Sequence, residues 1–89
     1  MRLLCHIENV FAITGRGCVI VPGVPNSLVQ EVKGGSSIVI ETPTNERFDA
    51  TIAGLEMINR GRPTDHTPFL VRGIIDKALL PIGSQVFLP

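Results

Sequence analysis

The feature that most constrains this chain is a period-two alternation of apolar and polar residues in short segments between Pro and Gly turns. From Leu3 to Ile13 the odd positions are mostly apolar, with a disturbance near Asn9, and the even positions include His6 and Glu8. Successive side chains of a strand point to opposite faces, so this pattern predicts a half-buried strand. No amphipathic segment exceeds about two helical turns, which favours an all-β barrel or sandwich of about six or seven strands.

Turn residues divide the rest of the chain. Pro22 and Gly23 are predicted to end the second strand, and the segment after them is predicted to be a short strand or irregular edge at 28–32. The apolar phase slips after Gly54, which predicts a β-bulge. Further strands are predicted at 18–21, 37–41, 47–59, 69–72 and 85–88, and one helical turn at 76–80. The side chains predicted to face the interior are Ile7, Phe11, Ile13, Ile20, Ile40, Phe48, Ile52, Phe69 and Phe87.

Composition narrows the class of protein. The 89 residues suit a single domain spanning 1–89. Eight basic residues balance eight acidic ones, and this neutrality argues against a stand-alone nucleic-acid binder, because phosphate contacts require a basic excess. The chain lacks an apolar run of membrane-spanning length and a convincing signal peptide. Cys5 and Cys18 form no CxxC pair. We therefore expect a soluble, cytoplasmic protein with no membrane association, in which both cysteines are free and buried.

The sequence contains no pattern typical of catalysis. A nucleophile elbow, a phosphate-binding loop, paired histidines and an acidic pair are all missing, so we expect neither enzymatic activity nor a cofactor. Four potential metal ligands are scattered along the chain. Their spacing matches no known metal site, and Cys5 and His6 are predicted on opposite faces of one strand, so we expect no metal. These four are Cys5, His6, Cys18 and His66.

Five segments occur in a specific order over nearly the whole chain: VFAITGRG at 10–17, VKGG at 32–35, AGLEM at 53–57, LVRGI at 70–74 and PIGSQV at 81–86. Together they resemble the second domain of elongation factor Tu and related translation GTPases. The resemblance implies a closed six-stranded Greek-key barrel. In that family the barrel follows a GTP-binding domain and helps to hold the aminoacylated end of tRNA. The chain departs from the family at 21–23, at Ser36 and in the loop at 60–69.

The resemblance also implies a site for an RNA end or a partner protein. Glu56 matches a family glutamate that lies where the terminal adenosine of tRNA docks, and Val71 matches a leucine that packs on the base. Asn59 replaces a family arginine, and Arg60 is its neighbour. The full set of candidate site residues is Arg16, Glu56, Asn59, Arg60, Val71 and Arg72.

Three of these candidates have a simpler structural interpretation. Arg16 lies between two glycines, where an arginine often pairs with a carboxylate and locks its own turn. The simpler interpretation of Glu56, which we favour, is a solvent-facing or arginine-paired carboxylate. Arg72 is explained as solvated surface.

Two functions follow as hypotheses. The first is a non-enzymatic binding module whose ligand is a tRNA end, another RNA, or a GTPase or other translation-associated protein. The second is a protein-interaction or oligomerisation barrel that has lost RNA contact, with its exposed apolar surface expected at 21–29. The neutral charge favours the second.

Overall fold

A computed structural model describes residues 1–56, 65–73 and 76–89. These residues form one antiparallel sheet with the strand order β1-β7-β4-β5-β6-β3-β2, which confirms the predicted all-β class. A 3-10 helix at Asn26–Glu31 stands where a short strand or irregular edge was predicted at 28–32, and a second 3-10 helix at Lys77–Leu79 confirms the predicted helical turn. The strands are β1 (Arg2–His6), β2 (Asn9–Ile13), β3 (Gly17–Pro25), β4 (Ser37–Glu41), β5 (Arg47–Leu55), β6 (His66–Arg72) and β7 (Gln85–Leu88).

The two outer strands of the sheet, β1 and β2, are consecutive in the chain. Only Ile7 and Glu8 separate them. The Ile7 N–H donates to the Ser84 carbonyl at 2.8 Å and the Ile7 carbonyl accepts from the Gly83 N–H at 2.8 Å, while the Glu8 N–H donates to the Val21 carbonyl at 2.9 Å. Among the described residues β1 pairs only with β7 and β2 only with β3. The resemblance implied a closed barrel of six strands. The described residues instead form a seven-stranded sheet whose two edge strands are joined by a two-residue link.

The face predicted for the first segment is only partly correct. The β1–β7 register shifts between Leu3 and Cys5, and Leu4 and Cys5 are both buried. The alternation of buried and exposed side chains changes phase again across the two-residue link. Val10 is therefore buried, whereas Phe11 is 44% exposed. A β-bulge adds one residue to a strand and so moves every later side chain to the other face. The prediction of an inward-facing Phe11 is therefore wrong.

Aliphatic side chains fill most of the interior, as expected for a chain with few aromatic residues. Phe48 packs against this core but remains partly exposed, and Ile13 and Phe87 are also only partly buried. Ile13 and Phe87 are not among the described side chains that pack against the core cluster, and Phe87 follows the fully buried Val86 on β7, so it faces the other side of the sheet and its predicted inward position is wrong. The predicted inward positions that are buried to 1% exposure or less are Ile7, Ile20, Ile40, Ile52 and Phe69.

Strand β3 continues past Pro22 and Gly23, contrary to the prediction that they end it. The β3–β6 register shifts between Ile20 and Val24, and Pro22 lies in this irregular stretch, where a missing N–H is tolerated. Gly23 has φ +97°, and a Cβ atom there would collide with the Thr67 carbonyl of β6. Glycine therefore lets the two backbones approach closely enough for the strand to continue.

Other local predictions are confirmed. Gly15 and Gly17 have φ values of +77° and +130°. The β5–β6 register shifts between Ile52 and Gly54, so the predicted bulge is present. The end of the long predicted strand, residues 57–59, lies outside the described residues. No helix among the described residues is long and apolar enough to cross a membrane.

Candidate functional site

The turn between β2 and β3 positions the first candidate residue, Arg16. The Arg16 N–H donates to the Ile13 carbonyl at 3.0 Å, and the positive φ of Gly15 is what the third position of a type II turn requires. This turn brings the Arg16 Nη2 within 3.0 Å of the Glu56 Oε1. Two candidate residues are thus adjacent, as an ion pair.

Glu56 is fixed on the other side of this pair. It follows the Gly54 bulge directly after β5, and its N–H donates to the Pro68 carbonyl at 2.8 Å. The Arg16 side chain is 57% exposed and that of Glu56 is 28% exposed. A pair this exposed contributes about 0–1 kcal/mol to stability. Its larger consequence is that each charge is already neutralised, in agreement with the simpler interpretation of both residues.

Val71 and Arg72 face opposite sides of β6. Val71 is fully buried, with Cys18 and Ile52 as its cross-strand partners. It has no surface on which a base could pack, so the predicted exposed position of Val71 in an RNA-end pocket is wrong. Arg72, one residue later, is exposed because side chains alternate along a strand.

The remaining two candidate residues, Asn59 and Arg60, lie outside the described residues.

The two cysteines are free and buried, as expected. Burial raises the pKa of the Cys5 thiol to about 11; a backbone hydrogen bond from Gly23 opposes this rise and the nearby Glu8 carboxylate adds to it. Burial also raises the pKa of Cys18, and the Asp76 carboxylate acts in the same direction. A protonated, buried thiol is neither a nucleophile nor a metal ligand. Within the described ranges no three His, Cys, Asp or Glu side chains are grouped to hold a metal ion.

Exposed apolar side chains are not concentrated at 21–29, where the sequence predicted them. No large hydrophobic side chain of that segment is among the exposed ones, and Leu28 and Val29 pack against the core. Leu79 and Ile82, by contrast, are 57% and 69% exposed and belong to one short segment. The other exposed large hydrophobic residues in the described part of the chain are Met1, Leu3 and Phe11.

Hydrogen bonds explain why this segment exposes apolar side chains. The Asp76 carboxylate accepts from the Ala78 N–H at 2.9 Å and so begins the second 3-10 helix. Leu80 is buried at 1% exposure, and neighbouring side chains of one helical turn cannot share a direction, so Leu79 points outward. The apolar run ALLPI at 78–82 was the available sequence signal, because a single turn cannot bury all of it.

Two hollows adjoin this segment. We call Leu79, Ile82 and these two hollows the turn surface. The hairpin hollow, of about 320 Å³, lies between the 42–46 loop and the second 3-10 helix and is lined by Thr42, Thr44, Glu46, Phe48, Asp49, Ala78, Leu79 and Pro81. The strand hollow, of about 390 Å³, lies between β2 and the same segment and is lined by Asn9, Val10, Asp76, Lys77, Ala78, Leu80, Pro81 and Ile82.

Comparison with known proteins assigns the chain to no family. No family model matches it, and no solved structure matches it. The resemblance to the elongation-factor barrel therefore rests on the five sequence segments, and the functional argument rests on the surfaces described above.

Proposed function

We propose that this chain is a non-enzymatic binding module that folds as a closed Greek-key barrel of the translation-factor domain 2 type. Support for closure comes from the link between the edge strands β1 and β2, in which Ile7 is hydrogen-bonded to the residues before β7 and Glu8 to β3, the two strands next to the edges. A sheet whose two edge strands are consecutive in the chain closes without a further strand, and closure removes exposed edges. Free, buried cysteines suit a cytoplasmic module.

The proposed ligand is a protein, and the observation that carries this choice is the exposure of Leu79 and Ile82 beside two hollows. Exposed apolar side chains rimmed by polar ones are typical of protein interfaces, whereas phosphate contacts dominate nucleic-acid affinity. Lys77 is the one basic residue among the described residues that line the two hollows. The turn surface is therefore suited to a protein and poorly suited to a phosphate backbone.

Binding of an RNA end is the second candidate function, and two exposed arginines favour it. Cys18 pairs with Val71, so Arg16 and Arg72 lie at the same end of neighbouring segments. The Arg16 charge is paired with Glu56, however, and Val71 is buried. With a net charge of zero in addition, RNA ranks below protein.

A capture experiment tests the proposed protein ligand. The tagged full chain is cross-linked in native lysate, and the retained protein and RNA are quantified separately. We expect retained protein to fall at least about tenfold in a Leu79→Ser/Ile82→Ser variant, because two lost apolar contacts exceed the 1.4 kcal/mol that corresponds to a factor of ten. Leu3→Ser is the matched control, since it removes an exposed apolar side chain from β1. Equal retention by the double variant and the control would rule out the turn surface.

A parallel titration addresses RNA. An oligonucleotide ending in CCA is titrated at several salt concentrations, and we expect no binding at physiological salt. Saturable binding that weakens with salt and disappears in Glu56→Ala would instead establish RNA-end binding as the function.

A further inference from the structure

We infer that the hairpin hollow binds an arginine side chain of the protein partner, an inference that rests on the proposed function. The hollow combines a carboxylate, a partly exposed aromatic ring and an apolar wall. The carboxylate comes from the 42–46 loop, the ring from the start of β5, and the wall from the second 3-10 helix and the residues after it. An arginine side chain has a chemical counterpart for each.

The carboxylate of Glu46 is held by a chain of hydrogen bonds. The Glu46 N–H donates to the Thr42 Oγ1 at 3.0 Å, and the Thr44 hydroxyl donates to the Glu46 Oε1 at 3.2 Å. The Thr42 and Thr44 hydroxyl oxygens are 3.1 Å apart. Since the single hydroxyl proton of Thr44 goes to Glu46, Thr42 must be the donor between them. This chain orients the carboxylate but leaves its negative charge in place.

No basic side chain among the described residues neutralises Glu46. The other glutamate of this hairpin, Glu41, differs, because the Arg47 Nη2 lies 2.7 Å from its Oε2. Asp49 also lines the hollow and has no ion pair with a described residue. None of the described lining residues is Lys or Arg, so the hollow carries uncompensated negative charge available to a cationic ligand.

The ring and the apolar wall select arginine among cations. Phe48 is partly exposed, and Leu79 and Pro81 extend the apolar surface beside it. A guanidinium is planar, stacks on aromatic faces and pairs with a carboxylate through two parallel hydrogen bonds, whereas an ammonium is compact and strongly hydrated. The volume of about 320 Å³ suits one long side chain with its stem on the apolar wall.

An NMR titration with N-acetyl-arginine amide tests the site directly. We expect the amide signals of Thr44, Glu46 and Leu79 to shift in a saturable manner. N-acetyl-citrulline amide, which has nearly the same shape without the charge, should bind about tenfold more weakly, because each hydrogen bond between charged groups contributes about 1 kcal/mol more than a neutral one and a guanidinium makes two to a carboxylate. Equal shifts with both probes, or shifts centred elsewhere, would overturn the inference.

Two variants locate the charge responsible. Glu46→Gln keeps an acceptor for Thr44 and should weaken binding of the arginine probe about tenfold. Glu41→Gln is the matched control, since it removes a carboxylate of the same hairpin that is already paired, and it should leave probe binding unchanged. An unchanged affinity in Glu46→Gln would contradict the assignment.

The inference and the proposed function can fail separately. If capture of protein depends on Leu79 and Ile82 but the arginine probe does not bind, the inference is wrong and the proposed function stands. If the probe binds and Glu46→Gln weakens its binding, but the Leu79→Ser/Ile82→Ser variant retains as much protein as the unmodified chain, the proposed function is wrong.

Discussion

The two glutamates that flank β5 have opposite electrostatic surroundings. Glu56, after the strand, pairs with Arg16 at 3.0 Å. Glu46, before the strand, accepts only from the Thr44 hydroxyl among the described residues. On β6, the strand beside Glu56, the apolar residue Phe69 is fully buried, whereas beside Glu46 the side chain of Leu79 is 57% exposed. At the Glu56 end the carboxylate is therefore already paired within the chain. The Glu46 end has both a negative charge and an exposed apolar surface that a ligand can contact.

This contrast shows that the residues that match a known family and the surface groups that are available to a ligand can lie in different places. The residues that match the RNA-end site are at the Glu56 end, where the contacts of Arg16 and Val71 are made within the chain. The Glu46 end carries no segment of the resemblance on its 42–46 loop, yet its Glu46 carboxylate has no ion pair with any of the described residues. A ligand gains most where the free protein has left its groups without partners.

Replacing one phenylalanine at each end with alanine should give the largest difference in the free energy of unfolding. Phe69 pairs with Leu55 next to Glu56 and is fully buried, so Phe69→Ala should cost about 3–5 kcal/mol. Phe48 is partly exposed in the hairpin hollow, so Phe48→Ala should cost only about 1–2 kcal/mol. Urea denaturation measures both. A loss of 3 kcal/mol or more for Phe48→Ala would mean that its ring belongs to the core and is not available to a ligand.

Base titration should show that Cys5, which lies at neither end, is buried in a dry interior. The folded pKa of Cys5, about 11, lies above its ordinary value of 9.0, so the thiol ionises in the unfolded chain before it does in the folded one. Stability should therefore be intact below pH 9 and fall by about 2–3 kcal/mol as the pH rises to 11. The chain has no tyrosine to obscure the effect. Urea midpoints should depend less steeply on pH across this range in Cys5→Ala, with the remaining dependence due to Cys18, whose pKa is also raised by burial. An unchanged slope would contradict a buried Cys5.

The cap of the second 3-10 helix should have a smaller effect, confined to the Glu46 end. Asp76→Ala removes the acceptor of the Ala78 N–H and should cost about 1 kcal/mol. Amide hydrogen exchange should accelerate at Leu79 and Leu80, while Glu56 should be unaffected. Faster exchange at both ends would show that they do not behave as separate regions.

The smallest effect is expected for the ion pair at the Glu56 end. A double-mutant cycle of Arg16→Ala and Glu56→Ala should give a coupling of about 0.2–1 kcal/mol that declines with salt, because the pair is largely exposed. Glu46→Gln should change stability by less than about 0.5 kcal/mol, since it breaks no ion pair. Thermal denaturation at two salt concentrations distinguishes these cases, and a larger loss for Glu46→Gln would reverse the comparison.

Local patterns in the sequence determined much of the fold. Alternation predicted the all-β class, glycines predicted the positive φ of Gly15 and Gly17, and the phase slip predicted the bulge at Gly54. The 3-10 turn near the C-terminus was also visible. These features depend on a few consecutive residues, whose backbone preferences and spacing are present in the sequence itself.

Only the tertiary structure decided which face and which partner each of these residues has. A bulge at Leu4 placed Leu3 outside, and a change of phase across the link placed Phe11 outside. The close approach of β3 to β6 let the chain continue through Gly23. Arg16 and Glu56 are 40 residues apart in sequence, so their pairing depends on the register of the strands between them. One added residue in a strand reverses every later side chain, and for that reason local patterns predict strands more reliably than the surfaces they form.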